Sequence, residues 1–192
     1  MTDKVSSLVQ RIRDLEAELE DEFDRRRTAF KYTVKRHRVV FEKEAKDRHR
    51  ALRQTLTSYL TEARPLVVLT APVIYSVIVP LVLLDLFVTL YQAICFPVYR
   101  IEKVRRADYI SLDRRHLAYL NGLEKVNCMY CGYGNGLLAY AGEIAARTEA
   151  HWCPIKHAAR IRRTHEHYPE FVDYGDAEGY KHKKQNLHDA TK

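Results

Sequence analysis

The residues whose types and spacing could do chemistry are Cys128-x2-Cys131 and, further along, Cys153-x3-His157. Two thiolates at that first spacing can face one metal ion, and Gly132 relieves the backbone at the turn. Cys153 and His157 stand one helical turn apart, so their side chains can point the same way. The four ligands Cys128, Cys131, Cys153 and His157 therefore predict a closed, tetrahedral Cys3His zinc site. A metal held this way would staple a domain with too small a core to be stable alone. The same ligand types suit an iron–sulfur cluster, and the Cys128–Cys131 pair by itself suits a redox dithiol. His151 is a competing ligand that the spacing disfavours. Cys95, inside an apolar run, reads as a filler or a lipidation site rather than a ligand.

The stretch Cys128-Met-Tyr-Cys131-Gly132 resembles the CxxCG knuckle of zinc ribbons and related small metal sites, and the resemblance covers the knuckle alone. Around it the pattern predicts two helices. Ser111 or Asp113 can cap one that ends near residue 125, and a second runs from about 137 to 152. Pro154 fits the first turn of a third. Glu143 and Arg147 form an i,i+4 pair, which reads as a helix-stabilising bridge. The sharper reading makes Glu143 or Glu149 a general base beside an open metal site. The chain carries no P-loop, GxSxG or HExxH motif, so an interaction protein with a structural metal is favoured over an enzyme.

What must position these residues is organised around residues 66–98, where Asp85 is the only formal charge. Runs of about 18 or more such residues are membrane-segment candidates. A soluble core helix would show a polar stripe at 3.6-residue spacing, and this run has none. It is long for one crossing and short for two. Pro72 and Pro80 interrupt it, and Pro80 divides it into two pieces of re-entrant length. Asp85, just past that bend, must face protein, water or head groups. Arg48, Arg50, Arg53 and Arg64 precede the run, and Arg100, Lys103, Arg105 and Arg106 follow it. Positive residues collect on the cytoplasmic side, so a membrane-inserted helical hairpin with both flanks cytoplasmic is preferred to a single kinked span. The long charged stretch before the run argues against an ordinary secretory signal peptide.

Residues 4–64 contain neither proline nor glycine, which predicts one long amphipathic helix, about 90 Å if unbroken. Only residues 5–19 keep heptad form, and the stripe drifts afterwards. Charge is in blocks: residues 14–24 hold seven acids and no base, and residues 25–53 hold twelve bases against three acids. The basic block includes Arg25, Arg26, Arg27, Lys31, Lys35, Arg36 and Arg38. With Arg100, Lys103, Arg105 and Arg106 it is a candidate surface for anionic lipid. Self-association, acidic block against basic block, is the other use of the pattern, and a homo-oligomer through this helix is expected. Few aromatics interleave the bases, which disfavours nucleic acid as the partner.

The net charge is +7 over 192 residues, with seven glycines and six prolines, which argues against a disordered or all-β chain. The expected organisation is a charged helix over 1–64, an inserted segment over 65–98 and a small α-helical metal domain over 99–163. An irregular tail over 164–192 docks through Tyr168, Phe171, Tyr174 and Tyr180. The fold class is mainly α. The expected function is a membrane-anchored, zinc-binding scaffold with a protein partner. A metalloenzyme or iron–sulfur redox protein is the first alternative, and a lipid-surface or membrane-remodelling protein is the second.

Overall fold

The computed structural model describes residues 3–29, 32–35, 38–41 and 43–190. The chain is mainly helical. It folds as two compact units. One, the β unit, comprises Ser7–Val79 and Ile110–Gly136. The other, the strap unit, comprises Met1–Ser6, Pro80–Tyr109 and Leu137–Lys192.

In the β unit the expected unbroken helix over 4–64 does not form. Helix α1 spans Asp3–Ala29. An antiparallel hairpin follows, β1 Tyr32–Lys35 and β2 Arg38–Phe41, paired from Tyr32 with Phe41 to Lys35 with Arg38. The reason is local. Tyr32, Thr33, Val34, Val39, Val40 and Phe41 are β-branched or aromatic, and such side chains lose rotamer freedom in a helix but fit a pleated strand. Absence of helix breakers was therefore not enough. Two short helices follow, α2 Lys43–Ala51 and α3 Leu56–Glu62, the latter capped by Thr55, whose Oγ1 accepts from the Ser58 amide at 3.3 Å. A small core forms where Ala45 is buried and the His49 ring meets Phe41 and Tyr119 edge-on, each at 5.2 Å.

Helix α4 covers Pro65–Ser76, with proline at its first position where the missing N–H costs nothing. Helix α5 covers Ile78–Tyr99. Only Val77 separates them, and it holds helical dihedrals of −63° and −17°. The expected division at Pro80 is thus a one-residue break three residues earlier, and no reversing loop replaces it. Pro80 explains the position: its ring excludes a helical carbonyl at Ser76, four residues back. The carbonyl of Ile74, loosened at this end, accepts from the Tyr130 hydroxyl at 2.7 Å.

Helix α5 ends in a Schellman motif. The Ile101 amide donates to Phe96 O at 2.9 Å and the Arg100 amide to Pro97 O at 3.4 Å, with Arg100 left-handed at φ 56°. A short helix α6, Arg106–Tyr109, and a 3-10 turn, Asp113–His116, lead to helix α7, Gly122–Trp152. The cap of α7 is Asn121, not Ser111 or Asp113. Asn121 Oδ1 accepts from the Glu124 amide at 3.0 Å, and Glu124 Oε2 accepts from the Asn121 amide at 2.8 Å. This reciprocal pair is a capping box.

The expected knuckle at 128–132 is absent, because α7 runs straight through it as one helix. Glycine lowers helix stability by about 1 kcal/mol per residue relative to alanine. Here it admits close backbone approach: a Cβ at Gly132 would sit 3.1 Å from Ser111 O. Beyond Trp152 the expected third helix at Pro154 is replaced by an isolated parallel bridge, Ile155 with Val172. The tail is also less irregular than expected, since Ala177–Ala190 forms helix α8.

Candidate functional site: a one-sided apolar helix and its polar strap

Successive residues on a helix turn by about 100°, which sorts α5 into two faces. One face carries Asp85, Val88, Gln92, Phe96 and Tyr99, all buried or half-buried. The opposite face carries Leu83, Phe87, Leu90, Ile94 and Val98, which are 49–71% exposed. Asp85 and Gln92 therefore point into protein beside Phe96, and Leu83, Phe87, Leu90, Ile94 and Val98 point out. That is the reverse of a water-soluble helix. One helical run among the described residues, Pro65–Tyr99, is long and apolar enough to cross a membrane by length and composition, and none of its most apolar window is buried.

The inward face is held by a strap, residues 100–106. Gln92, 6% exposed, acts as a surrogate strand partner for Val104. Its Nε2 donates to Val104 O at 3.3 Å, its Oε1 accepts from the Val104 amide at 2.5 Å, and Nε2 also reaches the Tyr140 hydroxyl at 2.9 Å. Every polar atom of that amide is engaged, as burial requires. Further along, Arg106 grips Asp85 with two bonds, Nε to Oδ1 at 3.2 Å and an Nη2 contact to Oδ2 at 2.6 Å. Thr89 Oγ1 adds a third donor to Asp85 at 3.3 Å. The strap runs back along α5: Val104 stands level with Gln92, about 10 Å of helix before Tyr99, and the Arg106 side chain reaches on to Asp85. Within the same unit the later half of α7 lies beside α5 and parallel to it. Tyr91 bonds Thr148 at 3.1 Å, and Tyr99 meets Trp152 edge-on at 5.1 Å and stacks on His151 at 5.8 Å.

On its other side the later half of α7 carries a charged cluster. Arg147 Nε donates to Glu143 at 2.8 Å, while its Nη1 donates to Glu102 O of the strap at 2.8 Å. The tail returns here: His167 meets Glu143 at 3.3 Å and His165 meets Glu149 at 3.0 Å. Burial pushes the Glu143 carboxyl up, but the bonds and charges of Arg147 and His167 outweigh it and hold it below its ordinary value. Burial, then the Glu143 charge, raises the Tyr109 hydroxyl. Through Arg147 and His167, Glu143 links α7 to the strap and the tail. The Tyr168 hydroxyl accepts from the His157 amide at 2.8 Å, and Phe171 is buried, whereas Tyr174 is exposed.

Two of the predicted metal ligands belong to the β unit and two to the strap unit. Cys128, half-buried, and Cys131, exposed, lie within α7; Cys153 and His157 follow it and are exposed. Among the described residues no three His, Cys, Asp or Glu side chains are grouped so as to hold a metal ion. In the continuous helix Cys128 and Cys131 stand at i and i+3 on one face, without the turn of a knuckle.

Of the predicted lipid-facing bases, Arg25 and Arg26 are exposed on α1 and lie 3.8 and 3.3 Å from Glu22. Lys31 and Arg36 lie outside the described residues, as do the side chains of Arg27, Lys35 and Arg38. Arg100 and Lys103 are exposed, and Arg105 is exposed beside Asp108 at 3.8 Å. Arg106 turns inward to Asp85 instead of facing lipid. Pro72 lies inside α4. The β unit also has an apolar cavity of about 360 Å³ between Tyr75, Leu112, Met129 and Tyr130.

No known protein family, characterised protein or solved structure matches the chain. The site must therefore be read on its own chemistry. Gln92, Val104 and Tyr140 were not singled out from the sequence. The available signal was that Gln92 is the only amide in residues 66–98, and an amide in such a run needs a partner.

Proposed function

We propose that this chain is a membrane-anchored interaction module, which the apolar run holds at a bilayer and α1 joins to a second copy. The observation that carries the anchoring is the inverted sidedness of α5, with Asp85 and Gln92 paired inward and Phe87, Leu90 and Ile94 bare outward. A soluble protein would have to leave that face in water at about 1.5–3 kcal/mol per large side chain. The self-association rests on α1. Leu8, Ile12, Leu15 and Leu19 recur at alternating spacings of four, three and four, and all are 52–57% exposed. That is a heptad seam left more than half exposed among the described residues. The acid-rich and base-rich blocks flanking it would set the pairing.

Two measurements test the reading. The chain should stay with membranes through alkaline carbonate washing and leave them only in detergent. In detergent, light scattering should give a dimer or higher oligomer, and the double variant Ile12→Asp, Leu15→Asp should reduce it to monomer without changing the membrane fraction. Extraction by carbonate would overturn the anchoring. An unchanged oligomer in the double variant would overturn the pairing through α1.

A further inference from the structure

Resting on that membrane reading, we infer that α5 lies in the plane of one anionic leaflet, outer face down, and does not cross the bilayer. The strap decides between the two geometries. It is irregular backbone that accompanies α5 from Tyr99 back to Gln92, with the Arg106 side chain reaching Asp85, and Glu102, Lys103 and Arg105 on it are exposed. Exposed charges are costly within the hydrocarbon layer, and irregular backbone is tolerated there only where protein covers it. Were α5 upright, the strap would share the depths of Gln92–Val98, about 10 Å of a core about 30 Å thick, and Arg106 would meet Asp85 deeper still.

An in-plane helix removes the conflict. Lys103 and Arg105 flank Val104, which is bonded to Gln92, while Leu90 and Ile94 project from the opposite side of α5 at the same axial level. Charge and bare apolar surface thus differ in height above the leaflet, not in position along the helix. This is the arrangement of a monotopic interfacial helix. Charge complementarity names the lipid. Residues 100–106 hold four bases against one acid, with Arg100, Lys103 and Arg105 exposed where head groups would stand. An anionic phospholipid surface fits both halves of the site.

Tryptophan depth measurement tests this on the full chain. Trp152 is the only tryptophan, so Trp152→Phe gives a silent background. Single probes replace exposed residues: Leu83→Trp, Phe87→Trp, Leu90→Trp, Ile94→Trp and Val98→Trp. Each is reconstituted in phosphatidylcholine–phosphatidylglycerol vesicles carrying lipids brominated at known chain depths. Circular dichroism confirms that each variant keeps the parent helix content. The expected result is quenching of all five at one shallow depth, within about 5 Å of one another, since an interfacial helix is buried only about 5–10 Å. A steady change in depth from Leu83 to Val98, up to the roughly 22 Å of helix between them, means a crossing helix and overturns the inference while leaving the membrane reading intact. Shielding of all five probes from every brominated lipid would assign the face to protein, a second copy included, and overturn both.

Discussion

Gln92 shows how one side chain can decide whether a segment is stable where it lies. Its amide satisfies both backbone groups of Val104, with a third bond to Tyr140. Replacing it removes the partner that these two backbone groups have on α5, and an unpaired buried backbone group costs about 1–3 kcal/mol. Gln92→Met keeps the volume and deletes the bonds, so it should destabilise the strap unit by about 2–4 kcal/mol. Tyr140→Phe leaves both Val104 bonds in place and should cost only about 1 kcal/mol. Denaturant unfolding of the reconstituted chain, followed by Trp152 fluorescence, compares the two. Equal effects would mean that the strap is held by packing and that the amide is incidental. Asp85 follows the same logic with charge: a carboxylate beside apolar surface is tolerated because Arg106 meets it with two bonds.

At the scale of elements, α7 is defined by its start. Asn121 and Glu124 satisfy each other's amides, and Asn121 is almost fully buried. Asn121→Ala should cost about 1–2 kcal/mol, the upper part of the range for an N-cap, and should fray the first turn. Amide hydrogen exchange at residues 122–126 should rise while residues 140–150 stay protected. Uniform loosening along α7 would show that the cap does not act locally. This start was legible in the sequence as N-x-x-E, yet the cysteine spacing downstream suggested a turn and drew the helix boundary elsewhere. A two-residue Cys spacing is compatible with a knuckle and with one helix face. Gly132, expected to relieve a turn, instead allows the helix its close contact near Ser111. The apolar run was legible because composition alone defines it. The β1–β2 hairpin was hidden for the converse reason: no proline or glycine marks it, and only the β-branched cluster at residues 32–41 hints at it. Which polar residue meets which was not legible, because Gln92 with Val104 and Asp85 with Arg106 depend on the strap's return path.

For the whole molecule the question is which force holds it at a lipid surface, and the magnitudes separate the candidates. Phe87, Leu90, Ile94 and Val98 are each more than half exposed on one face. Moving such side chains from water to hydrocarbon is worth about 1.5–3 kcal/mol each when complete, so even half of that gives on the order of 5 kcal/mol. Arg100, Lys103 and Arg105 contribute about 1 kcal/mol each at an anionic surface, and salt screens this part. The apolar part should therefore dominate. Raising salt to about 1 M, or replacing anionic with neutral vesicles, should weaken partitioning by up to about 100-fold, the equivalent of roughly 3 kcal/mol, without abolishing it. Leu90→Asp with Ile94→Asp should abolish it even at low salt, because each carboxylate both removes a favourable contribution and resists leaving water. Vesicle co-sedimentation over a salt series measures both. Complete release by salt alone would mean that the basic strap carries the binding and that α5 never enters the hydrocarbon. Retention of the double aspartate variant would place the contact on another surface. The predicted order, with the aspartate pair far more damaging than salt, follows from α5 turning its polar residues inward against the strap and leaving its apolar face as the contact.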